Sequence, residues 1–376
     1  MRDMRDDVSG RGYYGVQGGM KVQGEKLLMK GNEALAEAAV RAGCTRFFGY
    51  PITPQNELAA YMAKRLPKIK DGVFLQAESE VAAINMVLGA SAAGARAMTS
   101  SSSPGISLKS EGLSYMAGSD VPAVIVNVQR AGPGLGGIQP SQADYWQATR
   151  APGHGDFRML VFAPSTVQEM VDLVGDAFDL GDRYRMPAMI LSDGLLGQMM
   201  EPVIMPSDSS SKIPERPWAA CGHGGKRKHN VINSLYIDPP RLEAVVTERF
   251  KKYEKIKEKE QRCEEYMTDD AEIVLIAYGA SARICRSAVD AARKEGIKAG
   301  LIRPITLWPF PVKAIEKRAV TAKVFLAVEM SMGQMVDDVR LAVNGKKEVK
   351  FFGRTGGMVP TPAEVLDEIK KIKGGR

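Results

Sequence analysis

Short apolar runs alternate with stretches of helical spacing from about residue 25 to residue 200. The apolar runs predict six strands: Arg46–Tyr50, Val73–Gln76, Ala97–Ser100, Ala123–Val128, Met159–Ala163 and Ala188–Leu191. Between them, apolar residues recur at the three-to-four-residue period of helices, as in Glu33–Ala42 and Ser79–Ala95. Apolar strands that alternate with helices indicate a parallel sheet covered on both faces, in a doubly wound α/β domain.

A second α/β unit follows a break in this pattern. Residues 201–240 are rich in Pro and Gly, and Leu242–Tyr266 has the composition of a charged helix. Apolar runs then resume at Ile273–Ala277, Ala299–Ile302, Val324–Val328 and Val349–Phe352, which predicts a second open parallel sheet. We therefore expect a disordered extension (1–21), a first α/β domain (22–200), a linker with a charged helix (201–270) and a second α/β domain (271–376).

The composition is that of an ordinary globular protein, with 44% hydrophobic and 25% charged residues among 376. No apolar run approaches the roughly 18–20 residues that a membrane span needs. The first 20 residues are polar and lack the apolar core of a signal peptide. We therefore expect a cytoplasmic protein without a membrane partner.

Charge and cysteine content argue against two further classes of protein. The net charge is +7, but Lys251–Lys259 is interleaved with glutamates, which is typical of a solvated helix face. The basic excess therefore favours an acidic partner protein over a nucleic acid. The four cysteines are widely spaced without a CxxC pair, and the three histidines do not complete a metal-ligand pattern. We expect no metal or cluster site made by this chain.

A glycine-rich segment matches a nucleotide-binding motif only formally. Gly132, Gly134 and Gly137 have the GxGxxG spacing and follow a predicted strand. A dinucleotide fingerprint must open a helix whose N-terminus holds the pyrophosphate. Here Pro133 interrupts the motif and another proline, Pro140, follows it, so the segment is interpreted as a mobile loop.

Polar residues lie at the ends of four successive predicted strands. Thr53 could bind a carboxylate or cap the following helix, and the residues alone favour the cap. Glu80 begins a helix, where an acidic residue is favourable in any case. Arg130 could grip an anion or be exposed, and Ser100–Ser103 could form a polar ligand wall or a simple loop. Because ligands collect at the carboxyl ends of parallel strands, their convergence predicts a binding site.

Several motifs occur in a fixed order. They are Gly49–Pro54 (GYPITP), Ser79-Glu80, Gly94–Ala97 (GARA), Ser103–Ile106 (SPGI), Asn127–Arg130 (NVQR), Gly132–Gly136 (GPGLG) and Gln139–Asp144 (QPSQAD). Together they resemble the thiamine-diphosphate-binding (pyrimidine-type) domain of 2-oxoacid:ferredoxin oxidoreductases. Arg303–Pro311 (RPITLWPFP) resembles the transketolase-C-terminal-like α/β domain of the same family. The resemblance covers about residues 25–372.

The resemblance implies a role for each matching position. Glu80 would hydrogen-bond the aminopyrimidine ring of thiamine diphosphate and favour its imino form. Thr53 would bind the carboxylate of the 2-oxoacid, and Arg130 would hold the same group or its carbonyl. The cofactor-binding residues implied are Tyr50, Pro51, Ile52, Glu80, Ser102 and Ser103.

One motif of the superfamily is incomplete. The diphosphate and magnesium are held elsewhere by Gly-Asp-Gly and a downstream Asn, whereas Ser192-Asp193-Gly194 lacks the first glycine. The resemblance therefore implies that a β-type subunit carries the diphosphate and Mg²⁺ and shares the active site. Iron–sulfur clusters would lie on partner subunits, with γ and ferredoxin-like δ subunits completing the enzyme and ferredoxin accepting the electrons.

Two runs resemble one subgroup of the family. Leu28–Leu35 (LMKGNEAL) and Asp193–Pro202 (DGLLGQMMEP) are similar to the α-type subunits that act on 2-oxoisovalerate (3-methyl-2-oxobutanoate). The reaction implied is the oxidative decarboxylation of this 2-oxoacid with coenzyme A, giving acyl-CoA, carbon dioxide and reduced ferredoxin. A 2-oxoglutarate or pyruvate enzyme and a non-catalytic transketolase-like binding protein remain as alternatives.

Overall fold

A computed structural model describes residues 26–150, 152–207 and 213–375. The extension predicted at 1–21 lies outside the described residues. The strands of the first half are β1 (Lys26–Lys30), β2 (Arg46–Gly49), β3 (Val73–Gln76), β4 (Ala97–Ser101), β5 (Val124–Gln129), β6 (Leu160–Phe162), β7 (Ala188–Asp193) and β8 (Met200–Ile204). Its helices are α1 (Gly31–Arg41), α2 (Asn56–Arg65), α3 (Glu80–Ala92), α4 (Ser103–Gly118), α5 (Tyr145–Thr149), α6 (Val167–Tyr184) and α7 (Gly194–Gln198).

The second half repeats the alternation after a long helix. Its strands are β9 (Cys263–Tyr266), β10 (Ile273–Ile276), β11 (Ala299–Pro304), β12 (Thr306–Trp308), β13 (Val324–Glu329) and β14 (Glu348–Gly353). Its helices are α8 (Pro239–Lys259), α9 (Gly279–Lys294), α10 (Val312–Arg318), α11 (Met335–Val343) and α12 (Pro362–Lys373). The predicted α/β class is confirmed in both halves.

The first sheet has seven strands in the order β12-β6-β7-β5-β4-β2-β3. The six strands predicted from the apolar runs are all present and pair in parallel. Every residue of β4, β5 and β7 is buried, as expected for a sheet covered on both faces. The seventh strand, β12, comes from the second half and pairs antiparallel with β6, which the sequence did not predict.

A separate two-stranded ribbon packs against helices α1 and α6. Strands β1 and β8 pair antiparallel, with Leu28 opposite Pro202 and Lys30 opposite Met200. These strands come from the two runs that resemble the 2-oxoisovalerate subgroup, so the two runs lie side by side in the fold. The ribbon was not predicted, because neither run has a clear alternation of apolar and polar residues.

The second sheet has five strands in the order β14-β13-β10-β11-β9. It is mixed, because β9 pairs antiparallel with β11, and the prediction of an all-parallel sheet is wrong at this edge. The predicted helix Leu242–Tyr266 is also too long, since α8 ends at Lys259. The charges of β9 resemble a helix face, but Glu264 accepts a 2.8 Å hydrogen bond from Arg303 Nε on the adjacent strand. Tertiary pairing therefore overrides the local pattern.

The connection between the halves is packed against the first half. Its irregular part follows β8 and leads to α8. Ala219 is buried, and the N–H of Ala220 donates to the carbonyl of Ala92 at the end of α3 (2.8 Å). The guanidinium of Arg185 lies 4.6 Å from the centre of the Trp218 ring. These contacts hold the connection against the domain rather than leaving it free.

One hydrophobic cluster spans the two sheets. It includes Phe162 of β6, Tyr278 before α9, Ile302 of β11 and Trp308 of β12. In the part of the chain that the structure describes, no helix is long and apolar enough to cross a bilayer.

Candidate active site

The carboxyl ends of four neighbouring strands meet at one edge of the first sheet. In spatial order these are β5, β4, β2 and β3, all parallel. The predicted residues follow these strands directly: Arg130 after β5, Ser102 and Ser103 after β4, Thr53 after β2 and Glu80 after β3. The structure thus brings all four predicted segments to one place.

Arg130 is a buried bridge between two loops. Its side chain is 8% exposed, and its Nη1 and Nη2 donate 3.1 Å hydrogen bonds to the carbonyls of Thr53 and Leu135. The alternative of a solvent-exposed arginine is therefore wrong. Its Nε is buried and has no partner in the described part of the chain. A buried donor without a partner is costly, which fits a site that receives an anionic ligand.

Thr53 does not cap the following helix. Helix α2 begins at Asn56, its N-cap residue is Gln55, and no side chain caps it. The cap interpretation favoured by the sequence is therefore wrong. Instead, Asn56 Nδ2 donates to Thr53 Oγ1 (3.3 Å), which leaves the hydroxyl proton of Thr53 free to donate to a ligand.

The turn that carries Thr53 is fixed from behind. Asn32 Nδ2 in α1 donates to the carbonyl of Pro54 (2.8 Å), and Gln55 Nε2 donates to the carbonyl of Tyr50 (3.2 Å). Tyr50 and Pro51 are exposed and Ile52 is half-buried, so this part of the turn offers an open surface. Asn32 belongs to the subgroup-like run Leu28–Leu35, which therefore supports the site directly.

Glu80 presents a nearly buried carboxylate at the start of α3. Ser79 caps the helix by accepting a hydrogen bond from the N–H of Ala82 (3.1 Å). Glu80 is 7% exposed, and a Cβ built on Gly105 in α4 would lie 2.8 Å from its Oε1. Within the described residues no side chain or backbone N–H donates to this carboxylate. A buried acid that lacks a donor is well placed to hydrogen-bond a ligand.

The two predicted serines differ in whether their hydroxyl groups remain free to hydrogen-bond a ligand. Ser103 Oγ donates to Asp144 Oδ2 (2.6 Å) and accepts the N–H of Arg130 (3.1 Å), so it joins the ends of β4 and β5. Ser102 Oγ is buried without a partner among the described residues, as is Ser101 Oγ. Ser102 is therefore the one of the pair whose hydroxyl remains available.

A polar network behind Arg130 was not predicted. Asn127 Nδ2 in β5 donates to Asp144 Oδ2 (2.9 Å), and the carbonyl oxygen of the Asn127 side chain accepts the N–H of Ser103 (3.2 Å). Burial raises the pKa of Asp144, while the hydrogen bonds from Ser103 and Asn127 act in the opposite direction. The polar Asn127 inside an otherwise apolar strand was the signal that could have revealed it.

Asp193 serves the fold rather than a metal. Its Oδ1 accepts the N–H groups of Leu195 and Leu196 (2.9 and 3.1 Å) and caps α7. Burial raises the pKa of Asp193 to about 6, against the hydrogen bonds from Leu196, Leu195 and Ala280. Among the described residues, no group of three His, Cys, Asp or Glu side chains is arranged to hold a metal.

The glycine-rich loop does not form a dinucleotide fingerprint. Residues 132–139 are exposed, the N–H of Gly137 returns to the carbonyl of Ala131 (2.9 Å), and Arg130 bridges to Pro140. The next helix, α5, begins only at Tyr145. No helix N-terminus is presented to a pyrophosphate by this loop.

The fold combines a doubly wound sheet, a buried acid at a strand end and a second α/β unit. The family model described as pyruvate flavodoxin/ferredoxin oxidoreductase, thiamine diphosphate-binding, matches residues 37–268. That for pyruvate:ferredoxin oxidoreductase core domain II matches residues 271–365. The chain belongs to this family, the 2-oxoacid:ferredoxin oxidoreductases, and is an enzyme subunit with a thiamine-diphosphate-binding domain.

Two relatives with known names match nearly their whole length. The chain is 49% identical over 347 residues to ketoisovalerate oxidoreductase subunit VorB of Methanothermobacter thermautotrophicus, covering 92% of this chain and 98% of that protein. It is 36% identical over 377 residues to 2-oxoglutarate synthase subunit KorA of Methanothermobacter marburgensis, covering 93% and 100%. Both relatives are subunits of larger enzymes, which implies partner subunits for this chain.

Solved structures agree with the fold. The 2-oxoglutarate:ferredoxin oxidoreductase of Magnetococcus marinus, solved with 2-oxoglutarate, coenzyme A and succinyl-CoA bound, matches with a TM-score of 0.84 and 28% identity. The match covers 93% of this chain and 65% of that longer chain. A split-gene transketolase in an inactive β4 tetramer matches with a TM-score of 0.55 and 14% identity, which shows the shared fold alone.

Proposed function

We propose that this chain is the α-type subunit of a 2-oxoisovalerate:ferredoxin oxidoreductase. The complex oxidatively decarboxylates the branched-chain 2-oxoacid with coenzyme A, releases acyl-CoA and carbon dioxide, and reduces ferredoxin. The single observation that supports this most strongly is the buried Glu80 carboxylate, which has no donor among the described residues and lies at the same edge of the sheet as Thr53 and Arg130. The higher identity to the ketoisovalerate relative than to the 2-oxoglutarate relative supports the substrate class.

Three residues carry the proposed chemistry on this chain. Glu80 holds and returns a proton at its carboxylate, at the position of the pyrimidine ring. The hydroxyl of Thr53 donates to the carboxylate of the 2-oxoacid. Arg130 offers its free Nε to the same anion, while its other nitrogens keep the two loops in place.

The residues at this edge fit the pyrimidine end of thiamine diphosphate. Gly105 packs against Glu80, and the buried Ser102 hydroxyl follows β4 at the same edge of the sheet, where Tyr50, Pro51 and Ile52 follow β2. When bound, thiamine diphosphate supplies the nucleophilic carbon and the electron sink for decarboxylation. A β-type subunit holds the diphosphate and Mg²⁺, because Asp193 is committed to capping α7.

The remaining parts of the enzyme lie on other chains. Partner γ and ferredoxin-like δ subunits carry the iron–sulfur clusters, and ferredoxin takes the electrons. We place the complex in the cytoplasm, where unpaired cysteines such as the exposed Cys221 stay reduced.

The first experiment compares the parent complex with Glu80→Gln. The chain is produced with its β-type partner and supplied with thiamine diphosphate, Mg²⁺, coenzyme A and 2-oxoisovalerate, and reduction of ferredoxin or a viologen dye is followed. We expect the rate to fall by at least about tenfold, because the amide cannot exchange the proton. Glu78→Gln is the matched control, since Glu78 is exposed two residues away. Full activity of Glu80→Gln would exclude the proposed role.

A substrate panel separates the remaining alternatives. A preference for 2-oxoglutarate or pyruvate over 2-oxoisovalerate would move the chain to another member of the family. No turnover of any 2-oxoacid, in a complex that contains the cofactor and clusters, would favour a non-catalytic transketolase-like binding protein.

A further inference from the structure

Lys109 is a fully buried lysine whose ammonium group has almost no hydrogen-bond or ion-pair partner among the described residues. It lies in α4 and is 0% exposed, among the largest fully buried side chains of the protein. Its Nζ donates one long hydrogen bond, to the backbone carbonyl of Glu80 (3.4 Å). No carboxylate among the described residues comes within 4.0 Å of this ammonium. Because an unpaired buried charge costs free energy, its presence calls for a functional reason.

The face of α4 that carries Lys109 is the face that packs on Glu80. Gly105 lies four residues earlier and therefore on the same side of the helix. A Cβ built on Gly105 would lie 2.8 Å from Glu80 Oε1, and one built on Gly112 would lie 2.6 Å from Ile84 Cγ2. Helices α3 and α4 are therefore in close contact along this face, with the Glu80 carboxylate over Gly105 and its carbonyl over Lys109.

Lys109 and Glu80 are also linked by charge. Burial lowers the pKa of Lys109 to about 8, and the negative charge of Glu80 acts in the opposite direction. From β4, the neutral hydroxyl of Ser101 approaches Gly105 and adds no charge. In the described part of the chain, Glu80 is thus the charged group that faces Lys109.

We infer that Lys109 is a positioning residue for Glu80: its Nζ holds the first turn of α3 through the Glu80 carbonyl, and its positive charge lies on the face of α4 that packs against Glu80. The inference rests on the proposed function, in which Glu80 exchanges a proton with the pyrimidine ring. Without the ammonium, the Glu80 carboxylate loses the attraction of the buried positive charge that faces it.

The test is Lys109→Met in the complete complex, with activity measured across pH. We expect the acidic limb of kcat/KM for 2-oxoisovalerate to move to higher pH by about one unit, because a nearby positive charge is lost. Near-ultraviolet circular dichroism of bound thiamine diphosphate, which distinguishes its amino and imino forms, should show the same displacement. Lys64→Met on α2 is the control, since Lys64 is exposed and its loss should move neither curve.

The double variant with Glu80→Gln separates this inference from the proposed function. Lys109→Met should add no further pH shift once Glu80 is already an amide. If Glu80→Gln lowers activity but Lys109→Met leaves both pH curves unmoved, the role of Lys109 is excluded while that of Glu80 stands. If Glu80→Gln is fully active, the proposed function fails first. Should Lys109→Met not assemble, Lys109→Gln must give the same shift for the inference to hold.

Discussion

At the scale of single residues, burial disfavours the ionised form of Asp193. It is 2% exposed, and its carboxylate accepts backbone N–H groups at the start of α7. Its folded pKa of about 6 lies above the ordinary value of 3.8. Because this pKa is higher in the folded state, protonation of Asp193 stabilises the folded chain relative to the unfolded chain. This stabilisation is complete below about pH 3.8 and is lost as the pH rises through 6. At neutral pH, ionised Asp193 therefore lowers the stability of the fold.

Asp193→Asn should stabilise the chain at neutral pH. The amide oxygen can still accept the hydrogen bonds that cap α7, while the buried charge is removed. We expect the free energy of unfolding at pH 7.5 to rise by about 1–2 kcal/mol, with the difference vanishing below about pH 4. Denaturant unfolding at several pH values measures this, and Asp156→Asn at an exposed position is the control. A difference that is the same at pH 4 and pH 7.5 would contradict the assignment.

The sequence predicted which residues meet at one edge of the sheet wherever a suitable residue type coincides with a strand end. Thr53, Glu80, Ser102 and Arg130 could be placed together because parallel strands end at one edge of the sheet. Lys109 could not be predicted, since a lysine in a helix is usually solvated and only the packing of α4 on α3 encloses it. The difference between Ser102, whose hydroxyl is free, and Ser103, whose hydroxyl is hydrogen-bonded, could not be predicted either. It depends on Asp144, which lies at the end of the long loop after β5.

At the scale of elements, two glycines on the α3–α4 pair provide a matched comparison. A Cβ on Gly105 would lie 2.0 Å from Ser101 Oγ and 2.8 Å from Glu80 Oε1, whereas one on Gly89 would meet nothing within 4 Å. Gly105→Ala must therefore displace the Ser101 hydroxyl and the Glu80 carboxylate, or move α4 away from both. Gly89→Ala only replaces a flexible residue inside a helix.

We expect opposite effects from these two substitutions. Gly105→Ala should lower the free energy of unfolding by about 1–3 kcal/mol through overpacking and should weaken binding of thiamine diphosphate in the complex. Gly89→Ala should leave cofactor binding unchanged and stabilise by up to about 1 kcal/mol. Calorimetric cofactor titration and denaturant unfolding test both. Equal cofactor affinity in the two variants would show that the contact of α4 with Glu80 does not affect cofactor binding.

Elements were predicted where periodicity is strong and missed where pairing partners are distant. Strand β3 was predicted with the boundaries observed, and the central strands to within two residues. Strand β9 was read as helix because its four residues pair only with β11, about forty residues later. Strand β12 was missed for the same reason, since three residues give no periodicity and their partner is β6 of the other half.

At the scale of the whole molecule, the two halves form one structure. Strand β12 extends the first sheet from the second half, and Arg303 of β11 makes a two-pronged contact with Glu169 of α6 (3.0 and 2.6 Å). Gln142 lies fully buried between the halves. The loop after β5 therefore takes its position from both sheets, and the second half supports the candidate site from behind.

Gln142→Leu should disrupt this junction. The Gln142 side chain donates to the carbonyl of Tyr278 (2.8 Å) and accepts from Ser281 Oγ and the N–H of Met330 (2.7 and 3.0 Å). Leucine fills the space but leaves Ser281 Oγ and the N–H of Met330 unsatisfied, while the Tyr278 carbonyl keeps the N–H of Ala282 (3.3 Å). We expect the free energy of unfolding to fall by about 2–4 kcal/mol. Gln261→Leu, which loses only exposed hydrogen bonds, should stay within about 0.5 kcal/mol of the parent.

Because Gln142 lies in the loop that follows Arg130, the Gln142→Leu substitution should also raise the KM for the 2-oxoacid. Two separate unfolding transitions in the parent would contradict a single cooperative unit, and an unchanged KM in a destabilised Gln142→Leu variant would separate the junction from the site.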